Sequence, residues 1–154
     1  MFKGRFSKTI LGLLVLALIT ALCCVVDNSR QIAQEEHRDG VFIHVSHGSE
    51  APQRVLMALT MAGKMSEDKD VLVYFDITGV QAVLKETPDI TFGEFASCQA
   101  QLKALLDKGV ALYVCPGCLK AAGKTEVDVI DGVKIAEKEA FFDFTEGRIL
   151  TLDY

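Results

Sequence analysis

Short, nearly unbroken apolar runs alternating with helical stretches predict a three-layer α/β sandwich around a mainly parallel sheet. Residues 41–46, 71–75 and 110–114 are dense in β-branched and apolar residues, the pattern of strands covered on both faces. Between them lie stretches with helical spacing, so strands and helices take turns along the chain. The 154 residues, 50% of them hydrophobic and none of them Trp, suffice for one compact domain with an N-terminal extension.

That extension is predicted to be an apolar helix. Lys3, Arg5 and Lys8 precede an apolar run over residues 10–26 broken only by Gly12 and Thr20, and no acidic residue occurs before Asp27. Residues 1–26 therefore read as a signal-anchor or signal peptide. An uncleaved anchor is the first reading. Lipidation at Cys23 or Cys24 and cleavage near Ala21-Leu22-Cys23 are the alternatives. A basic N-terminus held in the cytoplasm puts the remaining chain on the extracytoplasmic side of a bacterial cell envelope, or secretes it after cleavage. Residues 27–39 are polar and read as a linker, and the domain occupies residues 40–154.

Within the domain the order is strand (41–46), helix (51–65, with Pro52 in its first turn), strand (71–75) and short helix (79–85). A helix over 92–108 and a strand over 110–114 follow. Val55, Leu56, Leu59 and Ala62 share one face of the first helix. Phe95, Leu102, Leu105 and Leu106 are the core candidates of the long one. Residues 127–130 read as a short strand or extended connection. Residues 134–142 read as a helix burying Ile135 and Phe142, and 149–153 as a closing strand.

Charge divides sharply along the chain. After residue 26 it carries 13 basic against 21 acidic residues. An acidic domain argues against nucleic acid as partner, and against an anionic lipid surface bound through the folded part.

Cysteine usage points to the chemistry. The pair Cys115-Pro116-Gly117-Cys118 follows a strand and opens a helical run that ends at Gly123. Free amide N–H groups at such a junction favour a thiolate, and the spacing lets the second thiol resolve an adduct on the first. The competing reading is a pair of inert buried thiols. Cys98 reads as a core residue. A thioredoxin arrangement is disfavoured, because Pro116 is the last of three prolines and no later proline can face the dithiol.

Ligands of parallel α/β sheets bind beyond the carboxyl ends of the strands. His44, His47, Gly48 and Ser49 lie at the end of the first strand and Asp76 at the end of the second. If the first and third strands were neighbours, in a 2-1-3 order, His47 would stand beside Cys115 and tune its thiolate. The amides of Gly48 and Ser49, with the Ser49 hydroxyl, would hold an anion. His44 reads equally well as a satisfied strand histidine, and Asp76 as a cap. His44, His47, Cys115 and Cys118 also have the composition of a zinc site, at a weakly diagnostic spacing.

The order of these motifs resembles the DsrE/DsrF-like sulfur-relay family, YchN-type and TusD-like members among them, from about residue 41 to residue 154. The resemblance rests on Val73-Tyr74-Phe75-Asp76-Ile77-Thr78-Gly79-Val80, on Leu105-Leu106-Asp107-Lys108-Gly109-Val110 and, most specifically, on the run from Cys115 to Gly123. It implies a persulfide on Cys115, with Cys118 as a partner present in some members, and assembly as a trimer or hexamer. The expectation is a membrane-tethered sulfur carrier, not a turnover enzyme. It would exchange sulfane sulfur with a donor or acceptor protein, or with a small sulfane-sulfur compound, and would need no cofactor. The alternatives are a non-catalytic oligomeric module with a structural disulfide, and a zinc-binding domain.

Overall fold

The computed structural model describes residues 37–154. The expected N-terminal helix, its anchor role and most of the linker lie outside the described residues. Among those described, no helix is long and apolar enough to cross a membrane.

The chain runs β1 (Gly40–Val45), α1 (Pro52–Met65), β2 (Asp70–Phe75), a 3-10 helix (Ile77–Val83), α2 (Cys98–Asp107) and β3 (Ala111–Val114). It continues through α3 (Pro116–Ala121), a 3-10 turn (Glu126–Asp128), β4 (Lys134–Ile135), α4 (Ala140–Asp143) and β5 (Ile149–Asp153). The five strands form one sheet, ordered β4-β3-β2-β1-β5, and every pairing is parallel.

The topology explains the layering. From β1 to β4 each crossover steps one strand in the same direction. Right-handed crossovers then lay α1, α2 and α3 on one face. The return from β4 to β5 travels the opposite way, from one edge to the other, and so crosses the opposite face. That face receives only α4, whose Phe141 ring sits 5.7 Å from Phe42 and 4.9 Å edge-on from Tyr74. The expected α/β architecture with a parallel sheet is observed, with a thin third layer.

The period of two along each strand sorts the residues. Val41, Ile43, Val45, Val71, Val73, Phe75, Leu112 and Val114 point to the helical side and are buried with Val55, Leu56, Leu59, Ala62, Leu102 and Leu105. Each large side chain fully buried there contributes about 1.5–3 kcal/mol. Phe42, His44, Tyr74, Ala111 and Tyr113 occupy the alternate positions and are half-buried.

Four expectations are corrected. The segment over 79–85 is a 3-10 helix starting at Ile77. A Cβ on Gly79 would come within 2.0 Å of the Val45 carbonyl oxygen, and the tight i, i+3 repeat buries Val80 and Val83 together. The helix expected over 92–108 begins only at Cys98, where the Ser97 side chain accepts the Ala100 N–H; Gly93 has already turned the chain at φ 54°. Residues 127–130 contribute a single antiparallel bridge, Leu84 to Val129, after a turn closed by a Thr125–Asp128 capping box. The helix expected over 134–142 is instead β4 followed by the single turn α4. Its Phe142 is 67% exposed, and the neighbouring Phe141 makes the packing contact.

Candidate functional site

Cys115 is the first residue past β3. Its N–H continues the ladder by donating to the Phe75 carbonyl at 2.9 Å, and its extended backbone makes it the N-cap of α3. Pro116 enters the helix where no N–H is needed. The chain then curls back, and the Cys118 N–H donates to Cys115 Sγ at 3.3 Å. Both thiols are free and half-buried.

The two thiols have opposite tendencies. Burial works against a Cys115 thiolate. Hydrogen bonding from the Tyr74 side chain, from the Cys118 amide and thiol and from the Gly117 amide outweighs it, and the Cys115 pKa is lowered. Burial and the anionic character of Cys115 push Cys118 up, against the opposing effect of the Ile77 amide. The pair is thus asymmetric, with the thiolate form favoured at Cys115 and the thiol form at Cys118. Cys98 is a different case: it is 1% exposed, its Sγ lies 3.7 Å from the Ala82 carbonyl oxygen, and burial pushes its pKa to about 12.

The strand order corrects the expected 2-1-3 arrangement. β2 lies between β1 and β3, so Tyr74, and not His47, is the neighbour of Cys115 from the adjacent strand. His44 and Tyr74 share a register position on β1 and β2, and their rings stack 6.0 Å apart at 24°. His44 is held from both sides: Nδ1 lies 2.8 Å from Asp153 Oδ1 and Nε2 lies 2.8 Å from Asp76 Oδ1. Burial opposes the imidazolium, but the two carboxylates outweigh it, and the His44 pKa is raised. Asp76 makes no cap hydrogen bond to the 3-10 helix, so its carboxylate serves His44 instead. Ile77 follows at φ 47°, a left-handed backbone that strains a β-branched residue. The residue is 61% exposed.

The loop after β1 is closed on itself. His47 Nδ1 lies 3.1 Å from Ser46 Oγ. The Gly48 N–H donates to the Glu50 carboxylate, and the N–H and hydroxyl of Ser49 donate to Gln81 Oε1 at 3.2 and 2.8 Å. The donors expected to hold an anion are therefore taken, and they dock the loop on the 3-10 helix. A Cβ on Gly48 would meet the Thr78 carbonyl oxygen at 2.4 Å, so only glycine permits that approach. The four zinc-type residues His44, His47, Cys115 and Cys118 do not converge. Among the described residues, no three His, Cys, Asp or Glu side chains are grouped to hold a metal ion.

The structure thus joins Cys115, Cys118, Asp76 and His44 at one sheet edge and leaves His47, Gly48 and Ser49 to their own loop. Tyr74 and Asp153 complete the group and were not singled out in the sequence. Alternation in β2 marks Tyr74 as facing away from Val71, Val73 and Phe75. Nothing in the sequence alone pairs β5 with β1.

A model of the DsrE/DsrF-like family matches residues 39–148. Among solved structures, the ychN protein from E. coli superposes with a TM-score of 0.53 at 20% identity, covering 75% of this chain and 99% of that one. A protein of unknown function, MTH1491 from Methanobacterium thermoautotrophicum, gives 0.52 at 16% identity, covering 73% and 98%. Both likenesses are of fold. No curated protein matches the chain.

Proposed function

Because the chain belongs to the DsrE/DsrF-like family, whose members are generally tied to sulfur relay, we propose that it carries sulfane sulfur on Cys115, with Cys118 as the resolving thiol. The observation that carries this reading is the asymmetry of the dithiol: Cys115 is favoured as thiolate and Cys118 as thiol, three residues apart at a strand-to-helix junction.

Loading is a displacement. The Cys115 thiolate attacks the outer sulfur of a persulfide or polysulfide donor. A new S–S bond forms, the donor's S–S bond breaks, and its electron pair leaves on the donor thiolate. An acceptor thiolate removes the outer sulfur by the same exchange. In the absence of an acceptor, Cys118 loses its proton and attacks Cys115 Sγ. A Cys115–Cys118 disulfide forms and hydrosulfide leaves, so the outer sulfur is reduced as the two thiols are oxidised. A dithiol reductant then restores the pair.

The basic residues before Ile10 and the apolar run that follows extend the proposal to a tethered carrier facing the extracytoplasmic side. A trimer or hexamer is the proposed assembly, to be read by light scattering.

The test is intact mass after exposure of the reduced protein to polysulfide. One added sulfur atom on Cys118→Ser, an internal Cys115–Cys118 disulfide with release of hydrosulfide from the native protein, and neither product on Cys115→Ser are the expected results. Full loading of Cys115→Ser, or a native pair that stays oxidised against mild reductant, contradicts the reading.

A further inference from the structure

Four adjacent strands bring polar groups to one face at one end of the sheet: Asp153 on β5, His44 on β1, Tyr74 with Asp76 on β2 and just past it, and Cys115 just past β3. The registers require this. His44 pairs with Asp153 on one side and Tyr74 on the other, Tyr74 pairs with Tyr113, and Cys115 lies two residues beyond Tyr113 on the same side of the sheet. The Tyr74 ring is fixed between the stacked His44 ring and the edge-on Phe141 ring, 6.0 and 4.9 Å away. His44 is itself held at 2.8 Å on both nitrogens.

We infer that Tyr74 is a working residue of the sulfur site: its hydroxyl donates to anionic sulfur on Cys115, and His44, pinned by Asp76 and Asp153, is the positioning residue that holds the Tyr74 ring. The inference rests on the carrier reading above and names the groups that serve it. The titratable groups facing Cys115 are Tyr74 and Cys118, with Asp76 acting on both of these. Tyr74 is suited to the role because burial and the neighbouring thiol raise its pKa, so it stays a phenol and a donor throughout the range in which Cys115 titrates. A phenol donor favours the thiolate that attacks the incoming sulfur. It also favours the anionic persulfide that results, because the phenol keeps its own proton against both anions.

The test is the pH profile of iodoacetamide alkylation at Cys115, resolved by peptide mass, in the full chain and in Tyr74→Phe, His44→Gln and the double variant. Tyr74→Phe keeps the ring and its packing and removes only the donor. Loss of one hydrogen bond to a charged group should slow modification about tenfold near neutral pH, with rates converging at high pH, where every variant is thiolate. His44→Gln should slow it less in the native background and not at all in Tyr74→Phe, because it acts through that residue. A Tyr74→Phe profile equal to the native one overturns the donor role. An additive His44 effect overturns the positioning role. The carrier reading is separable: a Cys118→Ser protein that takes no sulfur from polysulfide while Tyr74→Phe still shifts the profile defeats the carrier and leaves the donor standing.

Discussion

Tyr74 and Phe75 are neighbours in β2 and belong to different worlds. Phe75 faces the helical side, fully buried among Val45, Val114 and the α1 residues. Tyr74 faces the side crossed by a single helical turn, half-buried between His44 and Phe141. One face of the sheet is uniformly apolar and sealed by three helices. The other alternates through the same strands with His44, Tyr74 and Tyr113, and it ends at Cys115. The packed core and the candidate site are thus drawn from the same few strands, offset by one residue. Closing one face frees the other to keep polar and titratable groups near water, where they escape the penalty of unpaired burial.

Truncation should separate the faces most strongly. Phe75→Ala leaves a cavity in the sealed core and should lose about 3–5 kcal/mol in denaturant unfolding. Tyr74→Phe should lose no more than about 1 kcal/mol while slowing Cys115 modification. Comparable stability losses in the two variants would erase the distinction.

A smaller effect is expected at the joint between the faces. Gly79→Ala pushes a methyl group against the Val45 carbonyl and should cost about 1–3 kcal/mol by thermal or denaturant melting. Asp76 and Ile77 lie three and two residues before Gly79, so this variant should also alter Cys118 modification, whereas Phe75→Ala should leave it near native under folding conditions.

His44 gives a pH signature to the open face. Its folded pKa is raised above 6.5 by two carboxylates, so its stabilising contribution is complete below about 6.5 and is lost as pH rises through the folded value. Thermal melts across that range should show native protein losing ground to His44→Gln as pH rises, and a constant difference would remove the ion-paired histidine from the account. The least effect is expected at Phe142, 67% exposed on α4. Phe142→Ser should stay within about 0.5 kcal/mol of native, whereas Phe141→Ser should destabilise measurably.

Much of the sealed face was legible in the sequence. Val55, Leu56, Leu59 and Ala62 fall on one side of α1 by spacing alone, and the β-branched runs of β1 and β2 have few other uses. The Cys115–Cys118 junction was legible because Pro116 and Gly117 punctuate a strand-to-helix change. The open face was not. Its composition depends on strand order, which periodicity does not carry, and the assumed order led to His47 where the fold presents Tyr74. Residues 92–97 read as helix by composition until Gly93 and the Ser97 cap overrule them. β4, two residues long, is too short to show any period.

The most direct test of the account compares the three thiols of the described domain in one experiment. Native protein, reduced and held at neutral pH, is alkylated with iodoacetamide over time, and peptide mapping separates Cys115, Cys118 and Cys98 from Cys23 and Cys24. The account predicts Cys115 first, Cys118 well behind, and Cys98 untouched until the protein unfolds. Cys118 reacting as fast as Cys115, or Cys98 labelling in the folded state, would contradict the assignment of the nucleophile to the edge of the open face.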